Sequence, residues 1–123
     1  MNPPVDHVRI SAKSKEILIR IKRRTGLEHW NEICRVALCR SLTNPTVPTK
    51  SARIAESAID MEWKTFSGAY SLELSSAIFI RANIDGIDLA SRENLIEYVR
   101  SHIERGIASL QNVKTLADMT KPM

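Results

Sequence analysis

The chain has 123 residues, of which 43% are hydrophobic and 26% charged, an ordinary composition for one soluble globular domain with a modest core. It contains no run of eighteen apolar residues, and its first residues, MNPPVDHVRI, lack the apolar core of a signal peptide. We therefore expect neither a transmembrane helix nor a secretory leader, and predict a soluble cytoplasmic protein.

The net charge of +4 is unevenly distributed along the chain. Residues 1–50 carry ten Lys/Arg against four Asp/Glu, whereas residues 51–123 carry eight against ten. A basic N-terminal part followed by a slightly acidic remainder indicates that the N-terminal part binds a polyanionic partner. A solvated basic face would give the same charge count, so the count by itself leaves both interpretations open.

The first elements are predicted to be a short strand and an amphipathic helix. Residues 5–10 can be extended, with Val8 and Ile10 on one face. Ser11 is a plausible N-cap for a helix over residues 12–24, and Gly26 supplies its left-handed end. The inward stripe of this helix comprises Ser14, Ile17, Leu18, Ile21 and Thr25.

The basic residues of this helix flank its apolar stripe on both sides. Three of them, at spacing i, i+7 and i+11, follow one flank over about 16 Å of helix axis. Two follow the other flank, and one points away from the core. In that order the candidates are Lys13, Arg20 and Arg24, then Lys15 and Lys22, and then Arg23.

A second helix is predicted over residues 29–42. Its inward face comprises Trp30, Ile33, Cys34, Ala37, Leu38 and Leu42. Val36 and Cys39 lie on the opposite side, so this helix is apolar on two sides and is expected to be buried on two sides. We expect another subunit to cover the second side, with Ile19 of the preceding helix as a further subunit contact.

The middle of the chain contains breakers and one alternating segment. The prolines and Thr/Asn residues of TNPTVPT predict a loop over residues 43–50, and residues 51–58 are ambiguous, with a short helical turn as one interpretation. IDMEWKTF alternates, with Ile59, Met61 and Trp63 on one side. This pattern predicts a half-buried extended segment that ends at Gly68.

Two further helices complete a mainly α, single-domain fold over residues 1–123. The third helix is predicted over residues 70–83 and built on Leu74, Ala77, Ile78 and the stem of Arg81. The last helix is predicted over residues 92–111, capped by Ser91 or Asp88, and followed by a frayed tail from residue 112. The C-terminal helical part is thus expected over residues 59–111.

No catalytic constellation is recognisable in the sequence. His7, His29 and His102 are scattered, and none lies at metal-ligand spacing from a second histidine or a cysteine. His102 falls on the apolar stripe of the last helix, which favours a packed histidine. Cys34 and Cys39 are about 140° apart on their helix and cannot form a disulfide within it. We expect inert thiols, no metal, no cofactor and no enzymatic activity.

The basic helix is the feature that rises above this background. Phosphates along one DNA strand are several ångströms apart, so a row of cations on one helix flank can follow part of a backbone. No side-chain pattern is aimed at base edges. We therefore predict phosphate binding with weak sequence specificity by Lys13, Lys15, Arg20, Lys22, Arg23 and Arg24.

The order of motifs in residues 8–110 resembles the DndE family of bacterial DNA sulfur modification. The segments that carry the resemblance are KRRTGL joined to WNEICRVALCRSL, then WKTFSGAY and HIERGI. The resemblance implies a small, mainly helical DNA-binding accessory protein without sulfur-transfer activity. It also implies a homo-oligomer, expected to be a tetramer, that acts with other Dnd subunits such as the DndC/DndD complex. Because modification chemistry must reach a backbone position of duplex DNA, we expect an interrupted or distorted duplex, such as nicked DNA, to be preferred.

Two other interpretations remain open. A short strand, a helix, a glycine turn and a second helix are also similar to ribbon-helix-helix regulators, in which His7, Arg9 and Ser11 would face the major groove. The rest of the chain has no place in such a minimal regulator. In the third interpretation the protein is an assembly scaffold, and its basic face binds an acidic partner protein.

Overall fold

The structure, a computed structural model, describes residues 2–49 and 57–123 of the chain. Residues 51–56 of the ambiguous segment lie outside the described residues. The elements are β1 (His7–Ile10), α1 (Ala12–Thr25), α2 (Trp30–Thr43), β2 (Ile59–Glu62), α3 (Trp63–Ser67), α4 (Ser71–Ile84) and α5 (Arg92–Ser109), with short 3-10 turns at Gly68–Tyr70 and Ala117–Thr120. The prediction of a mainly α domain that begins with a strand and two helices is confirmed.

The two strands form one antiparallel pair within the chain. The register aligns His7 with Glu62 and Ile10 with Ile59. Val8 and Ile10 are buried and His7 and Arg9 are exposed, as the alternation predicts.

Helix α1 begins and ends as the sequence predicts. The Ser11 hydroxyl accepts a hydrogen bond from the Ser14 amide at 3.1 Å, and Gly26 ends the helix at φ 77°. Ile17, Leu18 and Ile21 are buried in the core, and each contributes about 1.5–3 kcal/mol by leaving water. Lys22, Arg23 and Arg24 fill the last turn, where positive charge is favoured.

The close crossing of α2 and α5 forms the centre of the molecule. Gly106 of α5 lies so near α2 that a Cβ added to it would be 1.9 Å from the Ala37 carbonyl oxygen. Beside this crossing, His102 is buried and its Nδ1 is 2.8 Å from the Ser41 hydroxyl. The interpretation of His102 as a packed, hydrogen-bonded histidine agrees with this position.

The extended segment predicted over residues 59–66 is wrong in its second half. The strand ends at Glu62, and α3 begins at Trp63. Helical spacing turns both Trp63 and Phe66 into the core, with ring centroids 5.3 Å apart, whereas a strand would place them on opposite faces. The Trp63 indole also donates a hydrogen bond to the Ser71 hydroxyl at 3.0 Å, which holds α3 against α4.

The predicted inward face of α4 is only partly correct. Leu74 and Ile78 are buried, but Ala77 is exposed, and Ser75 and Ala82 are buried instead. The spacing of apolar residues does not identify the buried face of α4, because the outer side of this helix is apolar as well. Three outward residues, Leu72, Ile80 and Ile84, are 62%, 63% and 73% exposed.

The tail from residue 112, expected to be frayed, is packed against the domain. Met119 is buried, and the Arg40 guanidinium donates hydrogen bonds to the carbonyl oxygens of Asp118, Met119 and Lys121. This segment covers part of the second side of α2, where Val36 packs against the core. Cys39 on the same side remains exposed, so the expected contact with another subunit there stays a prediction.

In the described part of the chain, no helix is both long enough and apolar enough to cross a membrane.

Candidate nucleic-acid interface

The six predicted cations all lie on α1, between its first and last turns. Four of them are exposed and two are half-buried. The exposed ones are Lys13, Arg20, Arg23 and Arg24, and the half-buried ones are Lys15 and Lys22. Because α1 is one unbroken helix, the first three-residue row spans about 16 Å along its axis.

None of these six side chains forms an ion pair with an acid of the described chain. Within residues 2–49 and 57–123 the ion pairs join other groups: Arg9 with Asp60, Arg81 with Asp85, Arg92 with Asp6, and Lys121 with Asp118. Charges that lack a partner and face water keep their attraction for an incoming anion.

Two of the six have contacts inside the protein that the sequence did not indicate. Arg24 Nη1 donates hydrogen bonds to the carbonyl oxygens of Gln111 and Val113, each at 3.1 Å. Lys22 Nζ lies 4.1 Å from the centroid of the Trp30 ring, within cation–π range. Arg24 therefore has a structural role besides its charge, while Arg20 and Arg23 have no contact of this kind in the described chain.

Glu104 gives the two ends of the basic helix different character. Its carboxylate accepts hydrogen bonds from the amide and hydroxyl of Ser11, both at 3.3 Å, and from the Ser14 hydroxyl. It thereby neutralises the positive end of the α1 dipole, beside Lys13. Four of the six cations lie away from this carboxylate, in the C-terminal half of α1. Glu104 comes from α5, far along the chain, so no local pattern could have revealed it.

Other arginines of the described N-terminal half are occupied internally. Arg35 donates to the Phe66 carbonyl oxygen at 3.0 Å, and Arg40 donates to the Ser109 hydroxyl at 3.1 Å and to carbonyl oxygens of the C-terminal segment. The basic excess counted in the sequence thus divides between α1, which faces solvent, and side chains that hold the fold together.

The HIERGI motif has structural roles at the C-terminal end of α2. Arg105 donates to the Ser41 hydroxyl and to the Ser41 carbonyl oxygen, each at 2.8 Å, and Arg81 donates to the Leu42 carbonyl oxygen at 2.8 Å. These two arginines satisfy carbonyl groups that the end of a helix leaves unpaired.

His102 is neutral in this environment. Burial is the largest cause and the nearby charges of Arg105 and Arg81 act in the same direction, and together they lower its pKa from 6.5 to about 4. Arg105 Nε donates to the Ser41 hydroxyl oxygen, so we assign the hydroxyl as a donor to His102 Nδ1. In this tautomer the imidazole carries its own hydrogen on Nε2. In the described structure Nε2 has no hydrogen-bond partner, and the Tyr98 ring lies edge-on at 4.6 Å.

The two cysteines have environments that suppress thiolate formation. Burial raises the pKa of Cys34 to about 12, and desolvation also raises the pKa of Cys39 on the other side of α2. The described residues contain no group of three or more His, Cys, Asp or Glu side chains placed to hold a metal ion.

Comparisons with known proteins agree with the motif resemblance. The family model described as DndE, DNA sulphur modification protein DndE, matches residues 7–118. No match is found among curated proteins.

Two solved structures share the fold. The crystal structure of DndE from Escherichia coli B7A, involved in DNA phosphorothioation modification, is 18% identical with a TM-score of 0.70, over 86% of this chain and 96% of that one. A glycine-to-lysine mutant of DndE, involved in DNA phosphorothioation, is 19% identical with a TM-score of 0.63, over 88% and 98%. Because the family model covers almost the whole sequence, this chain belongs to the DndE family of DNA sulphur modification proteins.

Proposed function

We propose that this protein is a non-catalytic accessory subunit of the DNA phosphorothioation system that binds the DNA phosphate backbone through α1. The single observation that carries the proposal is the set of six α1 cations with no carboxylate partner in the described chain. A catalytic role has no comparable support, because the thiols and the buried histidine are held in their neutral forms.

The dimensions of α1 suit a phosphate track. The row from Lys13 to Arg24 spans about 16 Å, while phosphates of one strand are spaced by about 3.4 Å along the duplex axis. Such a row spans about five phosphate spacings. Lysine and arginine contacts of this kind position a protein on DNA without reading its sequence, which supports weak sequence specificity.

The proposal includes a homo-oligomer, with a tetramer as the expected form, and the exposed face of α4 supports it. Leu72, Ile80 and Ile84 are exposed together on one face of α4, and a contiguous exposed apolar patch marks an interaction site. Small Ser76 and Ala77 beside them allow a second helix to approach closely. A second copy suits this face, because an antiparallel α4 pair would bury the same residues twice and keep the two Glu73 carboxylates at opposite ends.

An oligomer would present several α1 helices to one duplex, so that weak phosphate contacts combine into useful affinity. Sulfur modification must reach a backbone position, which makes an interrupted or distorted duplex, such as nicked DNA, a reasonable preferred form. The other Dnd subunits, the DndC/DndD complex among them, are the proposed protein partners, and the bacterial cytoplasm is the proposed location.

The test compares two double variants by mobility shift on intact, nicked and single-stranded DNA at two salt concentrations. Arg20→Gln with Arg23→Gln removes two free α1 charges. Lys64→Gln with Lys114→Gln removes two exposed charges elsewhere. We expect the α1 variant to weaken binding on every sequence and to lower the slope of log K against log salt by about 2 per bound subunit, at about 0.9 for each lost phosphate contact.

The control variant should retain the slope of the unmodified protein. Equal effects of both variants would mean that binding follows net charge and not α1. A strong preference for one operator sequence would instead favour the ribbon-helix-helix interpretation. His7 and Arg9 both contact Asp60, at 3.1 and 3.4 Å, which does not support that role. Capture of Dnd partners without measurable DNA affinity would favour the scaffold.

A further inference from the structure

Within the described residues, strand β1 makes backbone hydrogen bonds along only one of its two edges. The Asp6 carbonyl oxygen accepts from the Trp63 amide at 2.8 Å, and the Ile10 carbonyl oxygen accepts from the Ala58 amide at 2.9 Å. With the observed register, the even-numbered residues 6, 8 and 10 therefore face β2. The amides and carbonyls of His7 and Arg9 point to the opposite edge, where no group of the described chain hydrogen-bonds to them.

A groove of about 220 Å³ runs along this free edge, between β1 and α5. Val5 and Val8 line it from one side, and Ile96, Val99 and Ile103 line it from the other. Ile96 is 39% exposed. The groove is smaller than a usual small-molecule site of about 300–1,000 Å³. Its size suits one or two apolar side chains of a strand laid beside β1.

The charges around the groove favour an acidic occupant. Arg9 is paired with Asp60, and Arg92 with Asp6 at 2.9 Å. Arg100 also lines the groove, and no carboxylate of the described chain lies within ion-pair distance of it. Its guanidinium is therefore available to a carboxylate from outside.

The same charges argue against a second copy of this chain as the occupant. Two β1 strands paired antiparallel at their free edges would bring the Arg9 side chains of the two copies close together. The two Arg100 side chains would also approach each other. Like charges placed directly across a strand pair are destabilising, and cations on an edge strand prevent self-association.

We propose that the free edge of β1 binds an extended segment of a partner protein by strand addition. The segment alternates apolar and acidic residues: its apolar side chains enter the groove against Ile96 and Val99, and a carboxylate pairs with Arg100. The hydrogen bonds are made to the backbone of His7 and Arg9. This site is separate from α1, so the inference holds independently of DNA binding.

The test uses a fluorescein-labelled heptapeptide of alternating valine and glutamate, and a second in which lysine replaces glutamate. Binding to the full chain is followed by fluorescence anisotropy. His7→Pro removes one outward amide and should weaken binding of the glutamate peptide by about tenfold, the equivalent of 1.4 kcal/mol. Its matched control is Glu62→Pro, which places proline on the outer edge of β2, where the backbone φ of −64° already suits it.

A charge exchange tests the same site without altering the strand. Arg100→Glu should reverse the preference from the glutamate peptide to the lysine peptide. Lys114→Glu, with the same charge change on an exposed residue beyond α5, should leave the preference unchanged. Full affinity in both His7→Pro and Arg100→Glu would overturn the proposal, as would the absence of any difference between the two peptides.

Amide hydrogen exchange identifies the mode of binding. In the free protein the Val8 and Ile10 amides should already be protected by the β1–β2 pair, while those of His7 and Arg9 should exchange quickly. A saturating concentration of the glutamate peptide should protect His7 and Arg9. Binding of the peptide without protection of these two amides would overturn strand addition. Protection of the same amides by duplex DNA, and not by the peptide, would also overturn it.

Discussion

Gly106 shows how one missing methyl group can determine the packing of two helices. The backbones of α2 and α5 approach so closely that a Cβ at this position would lie 1.9 Å from the Ala37 carbonyl oxygen. Since a backbone atom cannot rotate away as a side chain can, only glycine allows this crossing without a shift of one helix. Residues 102–107 of the family motif lie on α5 around this contact.

Gly106→Ala should therefore destabilise the fold despite the better helix propensity of alanine. Overpacking costs about 1–3 kcal/mol, and more against rigid backbone, whereas the propensity gain is about 1 kcal/mol. We expect a net loss of about 2 kcal/mol in the free energy of unfolding, measured in urea. Ala108→Gly on the exposed side of α5 is the control and should lose about 1 kcal/mol. A Gly106→Ala variant as stable as the original would show that the crossing is looser than described.

His102 should make the stability depend on pH below neutrality. Its pKa is lowered from 6.5 to about 4 in the folded state, so between these values the unfolded chain binds a proton that the folded protein does not. The stability from this group is complete above pH 6.5 and decreases as the pH falls toward 4. We expect a loss of about 2–3 kcal/mol over this window.

The measurement is urea unfolding at pH 7.5 and 4.5, for the original chain and for His102→Gln. The variant should be less stable at pH 7.5 but should lose less stability between the two values. If both proteins lost the same amount, another titrating group would be responsible for the pH dependence.

In helix α1, two neighbouring arginines have different roles: one holds the fold together and the other only faces solvent. Arg24 donates to the carbonyl oxygens of Gln111 and Val113, and so joins the end of α1 to the segment after α5. Arg23, the preceding residue, is exposed and has no such contact in the described chain. The two arginines therefore have the same charge but different structural roles.

Arg24→Gln and Arg23→Gln form a matched pair for this difference. We expect Arg24→Gln to lower the free energy of unfolding by about 1–2 kcal/mol, through loss of charge-assisted hydrogen bonds. Arg23→Gln should change it by less than about 0.5 kcal/mol. Both should weaken DNA binding if α1 is the DNA-binding surface. Equal stability losses would mean that the Arg24 contacts contribute nothing measurable.

For the whole molecule, the outer face of α4 has the strongest bearing on assembly. Ile80→Glu places a charge at the centre of this face and should convert the proposed oligomer into monomers, because burying an unpaired charge is costly. Light scattering measures the mass, and Leu116→Glu, at another exposed apolar residue, serves as the control. An oligomer that survives Ile80→Glu must use another surface, and a monomeric original protein would refute the oligomer itself.

Much of the fold was predictable because it depends on local signals. The cap at Ser11, the glycine end at Gly26 and the 3.6-residue period of the α1 stripe act within a few residues of each other, and all three are found as expected. The alternation of apolar and polar residues gave a wrong prediction at residues 63–66, because the same side chains fit either a strand or a helix. The packing of Trp63 and Phe66 into the core selected the helix.

The proposed DNA-binding surface was also only partly predictable from the sequence. The identity and helical placement of the six cations followed from the sequence, because charge and period are local properties. Their availability did not, since it depends on acids far away in the chain. Glu104 reaches the start of α1 and Gln111 and Val113 accept from Arg24, while Arg20 and Arg23 are left without partners in the described structure.

The sequence by itself determined that this is a mainly helical member of the DndE family with a basic first helix. Only the tertiary structure decided which charges are free, which edge of β1 is open and which face of α4 is uncovered. The physical reason is that capping and periodicity are properties of a few consecutive residues. Neutralisation and burial, in contrast, arise between residues that the fold brings together from 30 to 100 positions apart, as Glu104 and Ser11 illustrate.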